Sequence, residues 1–120
     1  MILADTSVWI NHFRSGNPTL AALLEESRIG THPFVIGELS CGSLRNRAKI
    51  LSLLEALPQV RIAGQREVLR LVENERLYGC GIGWIDAHLL ASALLSDAII
   101  WTLDRSLSKI AIALGIAGNA

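Results

Sequence analysis

At 120 residues, 51% of them hydrophobic, the chain is long enough for one domain with an unstapled core and too short for two ordinary ones. Eleven acids balance eleven Lys and Arg, and a net charge of zero argues at first against a nucleic-acid partner. The most apolar stretch, 85 to 103, is interrupted by Asp86, His88 and Asp97, which makes it unfit to span a membrane.

Short β-branched runs alternate with longer helical ones. Ile2 to Ala4 reads as a strand ending at Asp5, and Thr6 to Arg14 as a helix with Trp9 and Phe13 one turn apart, stopped by Ser15-Gly16-Asn17. Pro18 suits the first turn of a second helix reaching about Ser27, and Ile29 to His32 reads as a second strand. Pro33 opens a helix ended by Gly42, and Arg45 to Leu57 forms another, closed by Pro58. Val60 to Ile62 is expected to be a strand, Gln65 to Tyr78 an amphipathic helix, and Gly79 to Gly83 a loop. Ile85 to Leu95 is apolar nearly all round and is placed as a central buried helix. Ala98 to Leu103 is a continuous apolar run fit for the middle of a parallel sheet, Asp104 to Leu114 is the last helix, and Ile116 adds a final short strand. Such alternation gives an α/β domain, a short central parallel sheet with helices on both faces.

Four carboxylates fall in apolar company. Asp5 and Asp104 each end a predicted strand, and open α/β sheets bind ligands at the carboxyl ends of their strands. Asp86 opens the buried helix with Leu89 and Leu90 one turn on, and Glu38 lies mid-helix in Phe34-Val35-Ile36-Gly37-Glu38-Leu39, so both are expected to face inward. A charge on such a face is costly unless paired or bound to a cation, and no Lys or Arg lies close in sequence to Glu38 or Asp86. Helix capping is the competing account of Asp5, Asp86 and Asp104, but caps do not sit mid-helix, where Glu38 is. One shared cation accounts for all four. All-oxygen ligation indicates Mg²⁺ or Mn²⁺, which activates water for attack on a phosphodiester. Asp5 and Asp86 are the first choices as direct ligands, with Glu38 and Asp104 holding a second ion or orienting water. Thr6 and Thr102, beside two of the acids, are supporting candidates, against which stands an ordinary structural role. With the four acids set aside, seven remain against eleven basic residues, a remainder of +4 that tolerates an RNA partner. Arg45, Arg47 and Lys49 form the densest basic cluster, and Arg105 and Lys109 lie beside the proposed site; these are candidates for RNA phosphate contacts, against a solvated helix face.

Other features carry less. His88 lies two residues from Asp86, about 200° around a helix, so the two face apart. His12 and His32 read as surface or loop residues. Gly79, Gly81 and Gly83 follow a helix, not a strand, and lack dinucleotide spacing. Cys41 and Cys80, far apart and in no metal or redox spacing, read as free thiols of a reducing compartment. Met1-Ile2-Leu3-Ala4-Asp5 offers no basic region and no cleavage site, so a cytoplasmic location is expected.

Four segments in this order, Ile2-Leu3-Ala4-Asp5-Thr6-Ser7-Val8-Trp9-Ile10, Ile36-Gly37-Glu38-Leu39 with Gly42, Ile85-Asp86-Ala87-His88-Leu89-Leu90-Ala91 and Trp101-Thr102-Leu103-Asp104, span nearly the whole chain. Through them the sequence resembles a PIN domain, and specifically the VapC toxins of toxin–antitoxin pairs. The resemblance implies a Mg²⁺- or Mn²⁺-dependent endoribonuclease acting on structured RNA such as transfer RNA, inhibited by a VapB-like antitoxin, and a homodimer. It carries the family's acidic residues onto Asp5, Glu38, Asp86 and Asp104. Trp9 and Phe13 are either part of an antitoxin groove or ordinary core. The alternatives are a related nuclease for RNA processing or DNA cleavage, and a non-catalytic interaction module, against which the intact acid set counts.

Overall fold

A computed structural model describes residues 1–118; the single domain expected over the whole chain extends further, to Asn119 and Ala120, which lie outside the described residues. The elements run β1 (Ile2–Ala4), α1 (Thr6–Ser15), α2 (Pro18–Glu25), β2 (Ile29–Gly30), α3 (Pro33–Ser40), α4 (Arg47–Glu55), α5 (Gln65–Asn74), α6 (Trp84–Leu95), β3 (Ile99–Trp101) and α7 (Arg105–Ala113). Local chemistry sets several of these starts. The Asn17 side chain accepts from Leu20 N at 3.0 Å with Pro18 at the first helical position, and His32 Nδ1 accepts from Phe34 N at 2.9 Å with Pro33 in the same place.

The strands form one parallel sheet in the order β2-β1-β3, with Ile2 beside Ile29 and Ile99, and Ala4 beside Trp101. Successive strand residues point to opposite faces, and Ile2, Leu3 and Ala4 are all buried, so both faces of β1 are covered by helices as expected. α1, α2, α6 and α7 pack against the strands, and α6 is buried from Ala87 through Ala93. The mostly apolar sequence of α6 matches the burial of its middle on all sides, while Trp84, Leu94 and Leu95 at its ends stay exposed.

Two expectations are corrected. β3 is not the middle strand: β1 is, and β3 lies beside it. On β3's outer side a single parallel bridge, Ile100 to Ala117, stands where the final short strand is expected near Ile116. Val60 to Ile62 is not a strand. Only Gln59 bridges, to Thr31, and beyond Val60 the backbone donors turn to α6: Arg61 N donates to Ser96 Oγ at 2.7 Å and Ala63 N to Ser92 Oγ at 3.1 Å. Hydroxyls on the neighbouring helix replace a ladder partner there. The helix expected to reach Tyr78 stops at Asn74, followed by Arg76 at φ 52° and Gly79 at φ 70°.

Candidate active site

Asp5 is the best-anchored of the four acids. β1 and β3 end side by side, with Asp5 N donating to Trp101 O at 3.0 Å, which places Asp5 next to Thr102 at the carboxyl edge. The Asp5 carboxylate is buried and accepts hydrogen bonds at both oxygens. Oδ1 accepts from Ser7 Oγ (2.5 Å) and from Val8 N (3.2 Å), and Oδ2 accepts from Thr102 Oγ1. Ser7 Oγ in turn accepts from Leu103 N at 2.9 Å, and Thr102 Oγ1 from Asp104 N at 3.0 Å. Two hydroxyls thus tie the end of β1 to the turn that delivers Asp104. Thr102 holds an acid directly, and so does Thr6, whose Oγ1 donates to Glu38 Oε1 at 2.8 Å. Ser7 is a member of this set that the sequence reading missed; the signal was its place in the first turn of a helix capped by Asp5.

Asp104 caps α7 by accepting from Leu107 N at 2.9 Å, and its exposed carboxylate keeps Oδ2 for another partner. Asp86, in the first turn of α6, accepts from Gly83 N at 3.4 Å. The capping account of Asp5, Asp86 and Asp104 is therefore correct as far as it goes, and does not exhaust the lone pairs of any of them. The inward orientation expected for Glu38 is corrected: it is exposed, on the open side of α3, because Phe34 one turn before it is itself 37% exposed. Asp86 is half-buried.

The four acids share an electrostatic neighbourhood. Burial pushes the Asp86 carboxyl above its usual range, the Gly83 N–H opposes this, and the charges of Asp104, Asp5 and Glu38 push it higher. Among the described residues the one ion pair, Arg28–Glu26, lies elsewhere, so no basic side chain neutralises the cluster by direct contact. The donor set is all oxygen, as Mg²⁺ or Mn²⁺ requires. Among the described residues no three carboxylate, His or Cys groups are drawn into a ready-made cage. The residues fit an ion held by one or two carboxylates that keeps several of its waters, which is the habit of Mg²⁺.

The basic candidates separate. Arg45 lines a groove of about 800 Å³ with Glu38, Leu44, Ile10, Phe13 and Arg14. Arg14 is a second cation there that sequence reading did not single out. Arg47 folds back to donate to Gly42 O at 3.4 Å, and neither it nor Lys49 lines the groove. Arg105 is exposed directly after Asp104, whereas Lys109 lines a separate groove with Arg76 and Cys80. Trp9 is buried core, and Phe13 is partly exposed on the Arg14 groove. His32 is not a surface residue: it is fully buried, because its ring caps α3 from beneath, and burial with the nearby His88 drives its pKa down to about 4. His88 is buried too, between Trp84 and Phe34 with ring centroids 4.7 Å away on each side.

The model of the PIN domain family matches residues 2–113. Ribonuclease VapC32 from two strains of Mycobacterium tuberculosis, CDC 1551 / Oshkosh and ATCC 25618 / H37Rv, is 46% identical over 118 residues, covering 98% of this chain and 95% of each relative. With the sheet edge, its four acids and a match that runs through almost all of both chains, the protein belongs to the PIN-domain family, in its VapC branch.

Proposed function

We propose that the protein is the endoribonuclease toxin of a toxin–antitoxin pair and cleaves RNA with Mg²⁺ or Mn²⁺ at Asp5, Glu38, Asp86 and Asp104. The observation that supports this reading is that Asp104, Asp5 and Glu38 all act electrostatically on Asp86, with no ion pair among the four. The activity in the name of the M. tuberculosis relatives supports the RNA substrate. Structured RNA such as transfer RNA is the proposed target, a VapB-like antitoxin the proposed inhibitor, and a cytoplasmic homodimer the proposed working form. Among the described residues no helix is long and apolar enough to cross a membrane.

Asp5 and Asp86 are the direct ligands in this scheme. Ser7 and Thr102 fix the Asp5 carboxylate against β3, so its orientation is set before anything binds. Thr6 does the same for Glu38, and the Leu107 N–H for Asp104. When bound, the divalent ion supplies an activated water and stabilises the leaving oxygen. Glu38 and Asp104, both exposed, would hold a second ion or orient water in this scheme. Arg105 and Arg45 are placed to hold flanking phosphates.

Incubating the purified, antitoxin-free protein with total RNA tests the reading. Discrete fragments are expected with Mn²⁺ or Mg²⁺ and none with EDTA, while Asp86→Asn loses about 100-fold or more of the rate. A folded protein that cuts nothing with either ion, or an Asp86→Asn variant as active as the parent, would overturn it.

A further inference from the structure

Two aromatic rings on the helices that carry Asp86 and Glu38 are left open. Trp84, the first residue of α6, is 43% exposed two positions before Asp86, and Phe34, in the first turn of α3, is 37% exposed one turn before Glu38. Both rest edge-on against the buried His88 ring, Trp84 at 86° and Phe34 at 64° between ring planes, and His32 packs behind Phe34 at 5.1 Å. Four rings from two helices therefore form one continuous stack of contacts, anchored beneath by two buried histidines and open at Trp84 and Phe34. The other two tryptophans, Trp9 and Trp101, are 3% and 9% exposed. A helix start that carries a half-open indole on a rigid support is built to present a flat apolar face, not to bury one.

We propose that Trp84 and Phe34 form a stacking platform for an unpaired nucleobase of the RNA strand being cut, next to the scissile phosphate. The inference rests on the ribonuclease reading of the carboxylate site. Phe34 lies one turn before Glu38 on α3 and Trp84 joins it across the His88 ring, so a strand whose phosphate lies at the acids carries its neighbouring base past the Phe34 side of the site. Every base offers a π-face, and aromatic platforms take bases without a hydrogen-bond code. A base inside a duplex is already stacked on both sides, so the platform selects a nucleotide splayed from a loop or single strand. Trp84 and Phe34 are specificity and positioning residues in this account, and touch no reacting atom.

Binding is measured on full-length Asp86→Asn protein, which cannot turn the RNA over, with an adenosine octaribonucleotide and with an abasic octamer of the same backbone. The octaribonucleotide is expected to quench indole emission, and the abasic strand to leave it unchanged. Trp84→Ala and Trp84→Leu should each weaken octaribonucleotide binding by about 5- to 100-fold, and Trp84→Phe by less than about threefold. The leucine variant keeps apolar cover over His88, so a folding defect in the alanine variant does not decide the matter. In the active protein the same two variants should raise KM with kcat within about threefold. Equal binding of the abasic strand, or unchanged Kd and KM in both variants, overturns the platform. Variants that handle RNA normally but lose hold of a protein partner would assign the rings to that partner and overturn it as well. If the parent protein cuts no RNA at all, the ribonuclease reading fails; if it cuts and the Trp84 variants cut identically, the platform alone fails.

Discussion

At Asp86, burial and three neighbouring carboxylates all disfavour the charged form, and only the Gly83 N–H favours it. Because its folded pKa lies above the unfolded value of 3.8, this group favours folding when protonated, and that contribution fades as pH rises through the raised pKa. Asparagine removes the charge and keeps an oxygen for the Gly83 N–H. Without divalent ions near neutral pH, Asp86→Asn is therefore expected to raise Tm, on the order of a few °C, while it abolishes cleavage. Thermal unfolding by circular dichroism in EDTA checks this, and a lowered Tm would contradict the electrostatic account. The sequence made Asp5, Asp86 and Asp104 legible because each follows or opens a strongly apolar run. It did not make legible which way Glu38 faces, since Phe34 on the same side of α3 is apolar yet exposed. Nor did it mark Ser7, whose role depends on a β3 that arrives 95 residues later to place Thr102 beside it.

α3 shows at the next scale how a cap and a core position can coincide. His32 must be neutral for Nδ1 to accept from Phe34 N, and its burial holds its pKa at about 4. The unfolded chain binds this proton near 6.5, the folded one only near 4, so stability from His32 is complete at neutral pH and is lost as pH falls through that window. Between pH 7 and pH 5 the loss is about 2 kcal/mol, at about 1.36 kcal/mol per pH unit. Urea unfolding of the parent and of His32→Asn, which retains a capping oxygen, should show a shallower decline in the variant by about that amount. His32 reads from the sequence as a surface or loop residue; it is a loop residue, and its ring is buried. The helices were legible from apolar periodicity, and α2 and α3 also from Pro18 and Pro33 at their starts, but the end of α5 was not. Segment 60–62 was not, since a β-branched run has the same sequence whether its N–H groups meet a strand or, as here, the hydroxyls of Ser92 and Ser96. For the same reason the sequence could not tell that Ile99–Trp101 lies beside the central strand, because both are buried.

Over the whole molecule, setting the four proposed site acids aside leaves seven acids against eleven Lys and Arg, so in the proposed reading a neutral total conceals two opposed fields. A divalent ion bound only by the folded state should stabilise it by about 2.7 kcal/mol at about 100 times its Kd. A Mn²⁺ titration followed by thermal unfolding is expected to raise Tm of the parent and to lose most of that rise in Asp5→Asn. Equal rises in both would place the ion elsewhere. The Thr102–Asp5 hydrogen bond joins residues 97 apart, and Asp104 follows only where β3 has already docked on β1. A chain still emerging from the ribosome carries Asp5 and Glu38 long before it carries either Thr102 or Asp104. The proposed nuclease is thus silent towards the RNA of its own synthesis until the chain has been translated past Asp104, and any cleavage that separates β3 and the turn after it from β1 would disarm it.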